Sequence, residues 1–483
     1  MAERPARAVV IGGGVGGLAT AIRLGAAGLD VTVLERAPEV GGKLAVRERD
    51  GFVFDIGPSL VTLPHVYDEL FRCAGTTLAD EVDLVRLDPQ FRYRWPDGHT
   101  IEMRDDGCDE PGYREFIDHG RQIWEISERT FFAGPMGSPL SLLRRMRSPL
   151  DLVRIDPMRT LAASAARSFR DPRMVQWAGR YATYSGSSPY RAPATLGCIA
   201  HVEHAYGCWY PRGGLGALRD AFARVAARVG VEVRCTTEVT AITATGDRVD
   251  GVRLADDTTL PADVVVSNAD ATHLYRDLLV DPRALRRVER ATPSTSGFVV
   301  LAGVRGHTPD ITHHNIWFNA DYQREFAQIA QGDLADDPTI YACVSSVTDA
   351  TQAPADHENW FVLVNTPAGV DIDAARYEAL VLERLAARGT ELRDRLVFTE
   401  TITPHAFEQR YRSPGGSIYG TSSDGRQAAF RRPANRGSRR GLYLVGGSSH
   451  PGGGLPLVTM SARIVSDMVL ADLVALPGRT GRP

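Results

Sequence analysis

The residues of this chain best suited to chemistry gather at two glycine-crowded turns near its opposite ends. The first follows an apolar strand, Ala8–Ile11, and reads Gly12-Gly13-Gly14-Val15-Gly16-Gly17. Gly12, Gly14 and Gly17 stand in G-x-G-x-x-G spacing, ahead of a helix expected from Gly17 to about Ala27. In such a turn the first glycine permits the tight bend and the second brings backbone against a pyrophosphate. The third lets helix pack on strand. Gly16 belongs to the same turn. A second strand, Val31–Leu34, ends in Glu35, roughly 20 residues downstream, where a carboxylate can take ribose hydroxyls. Strand, glycines, helix, strand and acid in that order specify a dinucleotide site. The other turn lies in "GLYLVGGSSHPGGGLPLVTMSARIVSDMV", residues 441–469, again strand, glycine loop and helix.

Two such units at the ends of one chain must be brought together by what lies between. "YPRGGLGALRDAFARVAARVGVEVRCTTEVTAITATGDRVDGVRLADDTTLPADVVVSNAD" supplies a return to the first sheet: a helix over Leu215–Arg228, short strands, and a buried strand over Asp263–Ser267. Its end, Ser267–Asn268–Ala269–Asp270, points Asn268 toward the cofactor edge. Two insertions remain. The first is helical and amphipathic in patches; the second mixes strands such as "SGFVVLAGV" with helices, one over about Ala374–Arg388. The expected fold class is α/β. A discontinuous Rossmann-type dinucleotide-binding domain (1–75, 210–290 and 425–476) would carry an α+β substrate domain of mixed sheet and covering helices (76–209 and 291–424), with a tail at 477–483.

Bulk properties narrow the class. A hydrophobic content of 43% and a charged content of 24% are those of a globular protein, and the net charge of −4 gives no reason to bind nucleic acid. Cys73, Cys108, Cys198, Cys208, Cys235 and Cys343 are far apart, with no zinc-type spacing, and read as reduced thiols in a cytoplasmic protein. "MAERPAR" runs straight into the first strand without a signal-peptide layout. The most apolar stretch, Leu455–Leu476, is broken by Arg463, Asp467 and Asp472 and does not read as a membrane span.

After Glu35 comes "RAPEVGGKLAVRERDGFVFDIGPSLV", with Arg36, a second glycine pair at Gly41 and Gly42, then Lys43 and Leu44. This run resembles the FAD-binding signature of the amine oxidase and phytoene desaturase superfamily. The resemblance implies FAD, with E-R…GG-K closing over its phosphates and ribose. Gly57, Pro58 and Ser59 of "FDIGPSLV" would then lie beneath the flavin, and Val239 would pack on the adenine through backbone contacts. FAD is long, and one Rossmann unit grips only its ADP half. The C-terminal turn therefore takes the flavin end: Gly446, Gly447 and Gly453 admit ring and ribityl chain. The helix starting at Leu455–Pro456 aims its positive end at the flavin's N1–C2=O edge.

Three further blocks extend the likeness over nearly the whole chain. "SPGGSIYGTSSDGRQAAFRRPANRGSRRGLYLVGGSSHPGGGLP", "HVEHAYGCWYPRGGLGAL", and "HHNIWFNADYQREF" with "DPTIYACVSSVTDATQAP" are similar to the bacterial carotenoid desaturase family. Their variants are closer to 3,4-desaturases and diapocarotenoid desaturases or oxidases than to the plain phytoene desaturase. The family implies hydride transfer from an allylic C–H of a polyene to flavin N5, with oxygen or a quinone as final acceptor. The rival readings are a small-substrate amine oxidase and a non-catalytic isoprenoid-binding flavoprotein.

No Ser-His-Asp set, HExxH or paired-carboxylate motif is present. His201 and His204 lack a third ligand at suitable spacing, so no metal is expected. With Glu203 and Tyr210 they are instead candidates for lining the site, as are His313 and His314, while His450 reads as a structural hydrogen bonder. At about 0.8 kcal/mol per CH₂, a forty-carbon polyene costs on the order of 30 kcal/mol to hold in water. The enzyme must therefore meet its substrate at a bilayer, docked peripherally on the inner membrane face. Glu128–Met158 is the expected dock, with Phe131, Phe132, Leu140, Leu142, Leu143 and Leu150 dipping in and Arg144, Arg145 and Arg147 on headgroups.

Overall fold

The run Ala8-Val9-Val10-Ile11 has no polar face because its strand lies at the centre of a parallel sheet covered on both sides. In a computed structural model of the chain, residues 4–136 and 139–475 are described, the side chains of 139–141 excepted. The expected tail lies outside them. The sheet runs in the order Leu442–Leu444, Val264–Ser267, Arg7–Ile11, Asp30–Leu34, Glu232–Arg234, every neighbouring pair parallel. Ala8, Val10, Val264, Val266 and Tyr443 pack against the helices Val15–Ala26, Leu215–Arg228 and Leu455–Val474. Val9, Ile11, Val265, Leu442 and Leu444 point the other way, under a three-stranded antiparallel sheet built from Val239–Thr245, Arg248–Leu254 and Thr259–Pro261. The period-two alternation of each strand decides which layer each residue joins.

A second sheet of seven strands stands beside the first, in the order Leu396–Ile402, Ser296–Arg305, His357–Thr366, Ile340–Cys343, His314–Trp317, Phe91–Arg94, Thr100–Met103. One face buries Phe298, Val300, Trp360 and Val362 against the helix Ala374–Ala387. The other presents Val299, Ile316, Tyr341, Phe361 and Leu363 to a cavity roofed by helices, among them Tyr113–Thr130 and Cys198–Tyr206. The first insertion, whose sequence reads as helical and amphipathic in patches, also contains strands. "FRYR" alternates buried Phe91 and Tyr93 with half-buried Arg92 and Arg94, which is strand periodicity, and it pairs in parallel with His314–Trp317. Both insertions thus give strands to one sheet.

Candidate active site

The two ends of the chain meet at the helix that starts at Val15. Gly41 N–H donates to Gly13 O at 2.8 Å and Gly14 bridges Gly41, so the second glycine pair lies on the first turn. From the far end of the chain, Gly446 reaches the same helix. A Cβ on Gly16 would stand 3.2 Å from Gly446 Cα and 2.8 Å from Asn268 Oδ1. At Gly17 a Cβ would fall 2.1 Å from Gly12 O, the close approach of helix to strand that the third glycine of the pattern provides.

These elements line one end of a continuous cavity of about 1010 Å³. Gly12, Gly14, Gly16, Glu35, Arg36, Gly41, Gly42, Lys43, Leu44, Gly57, Pro58, Ser59, Val239, Asn268, Gly446, Gly447, Gly453, Leu455 and Pro456 all face it, and Gly17 is the one expected contact that does not. The lining fits a dinucleotide. The Glu35 carboxylate is steadied by N–H donors from Gly13 (2.7 Å) and Ala37 (2.8 Å), which leaves lone pairs for a diol. Lys43 donates to the carbonyls of Ser417 and Ile418, and burial lowers its ammonium to about 8 despite the nearby Asp270. Arg36 donates to the carbonyls of Gln409 and Arg410; burial, then the charge of Arg412, holds it below its ordinary value. The helix Leu455–Val474 opens with Pro456 in its first turn, and Leu455, Pro456, Leu457 and Val458 line the cavity, so the positive end of the helix lies at it.

The rest of the cavity is a slot between apolar walls. Leu63, Trp124, Phe131, Phe132, Ile199 and Val202 come from the helical side, and Val299, Ile316, Phe361 and Leu363 from the sheet. Leu152 and Phe430 line it while remaining 44% and 40% exposed, so each extends from the cavity to the surface.

The structure corrects the expected lining. Tyr210 is fully buried and turned away, donating to Asp55 Oδ2 at 2.7 Å beneath the start of the helix Leu215–Arg228. Burial pushes the Asp55 carboxyl up to about 6, against the donors Tyr210, Leu215 and Gly216. His201 and His204 are not in the lining either. Their helix shows Cys198, Ile199 and Val202 to the cavity, and His204 Nδ1 instead meets the Tyr113 hydroxyl at 3.3 Å. Glu203 is buried behind the wall and reaches it through Arg180 and Tyr184. His313 and His314 sit behind the wall: His314 Nδ1 pairs with Tyr341 OH (2.9 Å), which meets Ser59 Oγ at 2.5 Å. With Cys343 they form a buried trio whose ligand atoms lie within 4.8 Å. Burial pushes the thiol up and both imidazoles down, which favours their uncharged forms. His450 bonds Phe131 O at 2.9 Å, a structural contact, and burial lowers it to about 4.

The expected dock is also redrawn. Phe131, Phe132 and Leu142 face the cavity, Arg145 caps the carbonyls of Thr130 and Gly134, and the side chain of Leu140 lies outside the described residues. Among the described residues of the segment, the exposed large apolar side chains are Leu143, Leu150, Leu152, Val153 and Met158, beside exposed Arg144 and Arg147. Two residues that sequence reasoning passed over complete the picture. Arg432 of "FRRP" donates to Pro451 O (2.7 Å) and Thr421 O (2.9 Å), bracing the C-terminal glycine loop. Arg180 is a buried cation on the cavity wall.

A dinucleotide cradle opening into an apolar slot is the site of a flavin oxidoreductase, and the chain belongs to that class: residues 15–470 match the family of flavin containing amine oxidoreductases. It is a flavin-dependent oxidoreductase. Within the class it is 36% identical to a 4,4'-diapolycopene oxygenase of Methylomonas sp, over 97% of this chain and 98% of that one. It is 34% identical to a 4,4'-diaponeurosporene oxygenase of Staphylococcus aureus, over 96% and 98% of the two chains. Among solved structures, a putrescine oxidase bound to putrescine superposes with a TM-score of 0.66 at 16% identity, covering 98% of this chain and 99% of that one. A fatty acid isomerase from P. acnes gives 0.63 at 14% identity, covering 98% and 99%. These likenesses establish the fold. No helix among the described residues is long and apolar enough to cross a membrane.

Proposed function

We propose that the protein is an FAD-dependent enzyme that oxidises a long linear polyene at a C–H bond next to the conjugated system. The observation that carries the reading is the continuity of the cavity, from the glycine cradle, through an apolar slot, to exposed apolar side chains at the surface. A small polar amine needs no such slot. The names of the two relatives, both polyene oxygenases matched over nearly their full length, support the same substrate class and favour introduction of oxygen over plain desaturation.

Hydride acceptance is the chemistry a bound flavin supplies. Glu35, Arg36, Val239 and the paired glycine turns would hold the ADP half, and the helix start at Leu455 the ring. Trp124, Phe131, Phe132 and Val202, with Val299, Ile316, Phe361 and Leu363, would exclude water and hold an apolar chain in the slot. The electron acceptor after turnover would be oxygen or a quinone.

The substrate reaches the slot from a bilayer. Ten large apolar residues are exposed among the described residues, and five of them fall in 143–158, the segment from which Leu152 lines the cavity. Such clustering marks a surface that meets something apolar. Incubating the holoenzyme with vesicles carrying a thirty-carbon polyene and weighing the pigments by mass spectrometry tests the reading. A hydrogen-poorer or oxygen-richer polyene is expected; unchanged pigment alongside oxidation of putrescine would overturn it.

A further inference from the structure

Arg180 is an unusual residue to find on the wall of an apolar slot. It is 6% exposed, and its guanidinium carbon lies 4.4 Å from the ring centre of Phe91, 5.2 Å from Tyr93, 4.8 Å from Tyr181 and 5.1 Å from Tyr184. Such a cage stabilises a cation through its faces. Its in-plane hydrogens are another matter. A guanidinium carries five N–H donors. Among the described residues two find acceptors: Nη1 reaches the Tyr184 hydroxyl at 3.1 Å and Nη2 reaches Glu203 at 3.3 Å. Nε is buried without a partner. A buried cation with donors to spare is costly beside a pure hydrocarbon, which offers no lone pair. Next to it, Thr183, Tyr184 and Ser185 also line the cavity, so the wall here is polar where its neighbours Ile199, Val202 and Ile316 are not.

We propose that Arg180, braced by Glu203, Tyr181 and Tyr184, is a recognition site for an uncharged oxygen on the end of an otherwise apolar chain, a hydroxyl or an aldehyde. The proposal rests on the polyene reading above and deepens it. The preference for an uncharged oxygen follows from the bracing. Burial raises the Glu203 carboxyl, but Glu203 also accepts from Tyr181 (2.8 Å), from Tyr184 and from Arg180, three donors beside a cation that favour its ionised form. Arg180 and Glu203 therefore form a neutral pair. A carboxylate end group would bring a second negative charge beside Glu203, whereas a hydroxyl or aldehyde takes a free N–H without that repulsion. The enzyme would then hold partly oxidised polyene more tightly than the parent hydrocarbon, and release it once it became an acid.

The test uses dithionite-reduced holoenzyme, which cannot turn over, with phosphatidylcholine vesicles carrying one of three probes. These are a linear thirty-carbon polyene hydrocarbon, its terminal aldehyde and its terminal acid, each followed by the change in polyene absorbance on binding. The aldehyde should bind at least tenfold more tightly than either of the others. In the double variant Arg180→Met with Glu203→Gln, which removes both charges together, that preference should fall to within twofold while flavin content is retained. Arg180→Lys, which keeps the charge and loses the fork, should lose most of the preference and serves if the double variant does not fold. Equal binding of the three probes by the unmodified protein, or a preference that survives in the variants, would overturn the inference and leave the polyene reading standing. Failure to bind any probe would remove both.

Discussion

Replacing Leu150, Val153 and Met158 together with serine should detach the protein from vesicles without disturbing its fold. The three are 58%, 72% and 60% exposed, so each has more than half of its surface available to a bilayer. Full burial of such a side chain is worth about 1.5–3 kcal/mol, and the exposed share of each comes to about 1 kcal/mol or somewhat more. Losing all three weakens partitioning by about 3 kcal/mol, roughly a hundredfold. Their removal costs little in the folded state, because exposed positions typically tolerate substitution within about 0.5 kcal/mol. The segment's own anchor is left untouched: Asp151 accepts from Arg129 (2.9 Å) and from Arg147 N–H (3.0 Å). Flotation with anionic vesicles reads the effect, with flavin absorbance and a denaturant melt as controls. Binding of the parent protein should also weaken as salt screens Arg144 and Arg147. A triple variant that floats as the parent does, with flavin and stability intact, would refute the argument that these side chains insert.

Gly14→Val should yield a folded protein without flavin. Its Cβ meets only the Asn268 side chain closely (2.8 Å) and its methyls fill the cradle; far-ultraviolet circular dichroism and visible absorbance read the two halves. Lys43, lowered by burial from 10.5 to about 8, gives the free protein stability that rises between those two pH values, where the unfolded chain holds the extra proton. An anionic dinucleotide favours the charged lysine, so flavin affinity should fall by up to about tenfold per pH unit above pH 8, and Lys43→Met should abolish that slope in an equilibrium titration. Tyr210→Phe should cost about 1–3 kcal/mol in a denaturant melt, by removing a donor from buried Asp55, and should leave turnover and flavin content unchanged.

The cradle was legible because its signal is local: Gly12 to Glu35 spell out a turn, a helix and an acid within one βαβ unit, and the glycines at 446–454 repeat the layout. The side chains around the slot were not, for geometric reasons. Helical periodicity in "CIAHVEHAY" shows that one face is buried but not how the helix is rotated, and the rotation presents Cys198, Ile199 and Val202 in place of His201 and His204. Tyr210 was a lining candidate from the block "HVEHAYGCWYPRGGLGAL", yet its strand pairs with Leu84–Arg86 and its hydroxyl donates to Asp55. Arg180 had no local mark at all. Its site exists only where Phe91, Tyr93 and Glu203 converge from distant parts of the chain. Strands of four residues such as "FRYR" are too short for periodicity to outweigh the helices around them.

The most direct measurement is anaerobic reduction of the bound flavin. Purified holoenzyme is mixed, in the absence of oxygen, with vesicles carrying a linear polyene or with putrescine in solution, and the visible flavin absorbance is followed. Bleaching by the vesicle-borne polyene and none by the amine is the predicted result. Bleaching by putrescine alone, or by neither, would contradict the assignment of the slot to a long apolar chain.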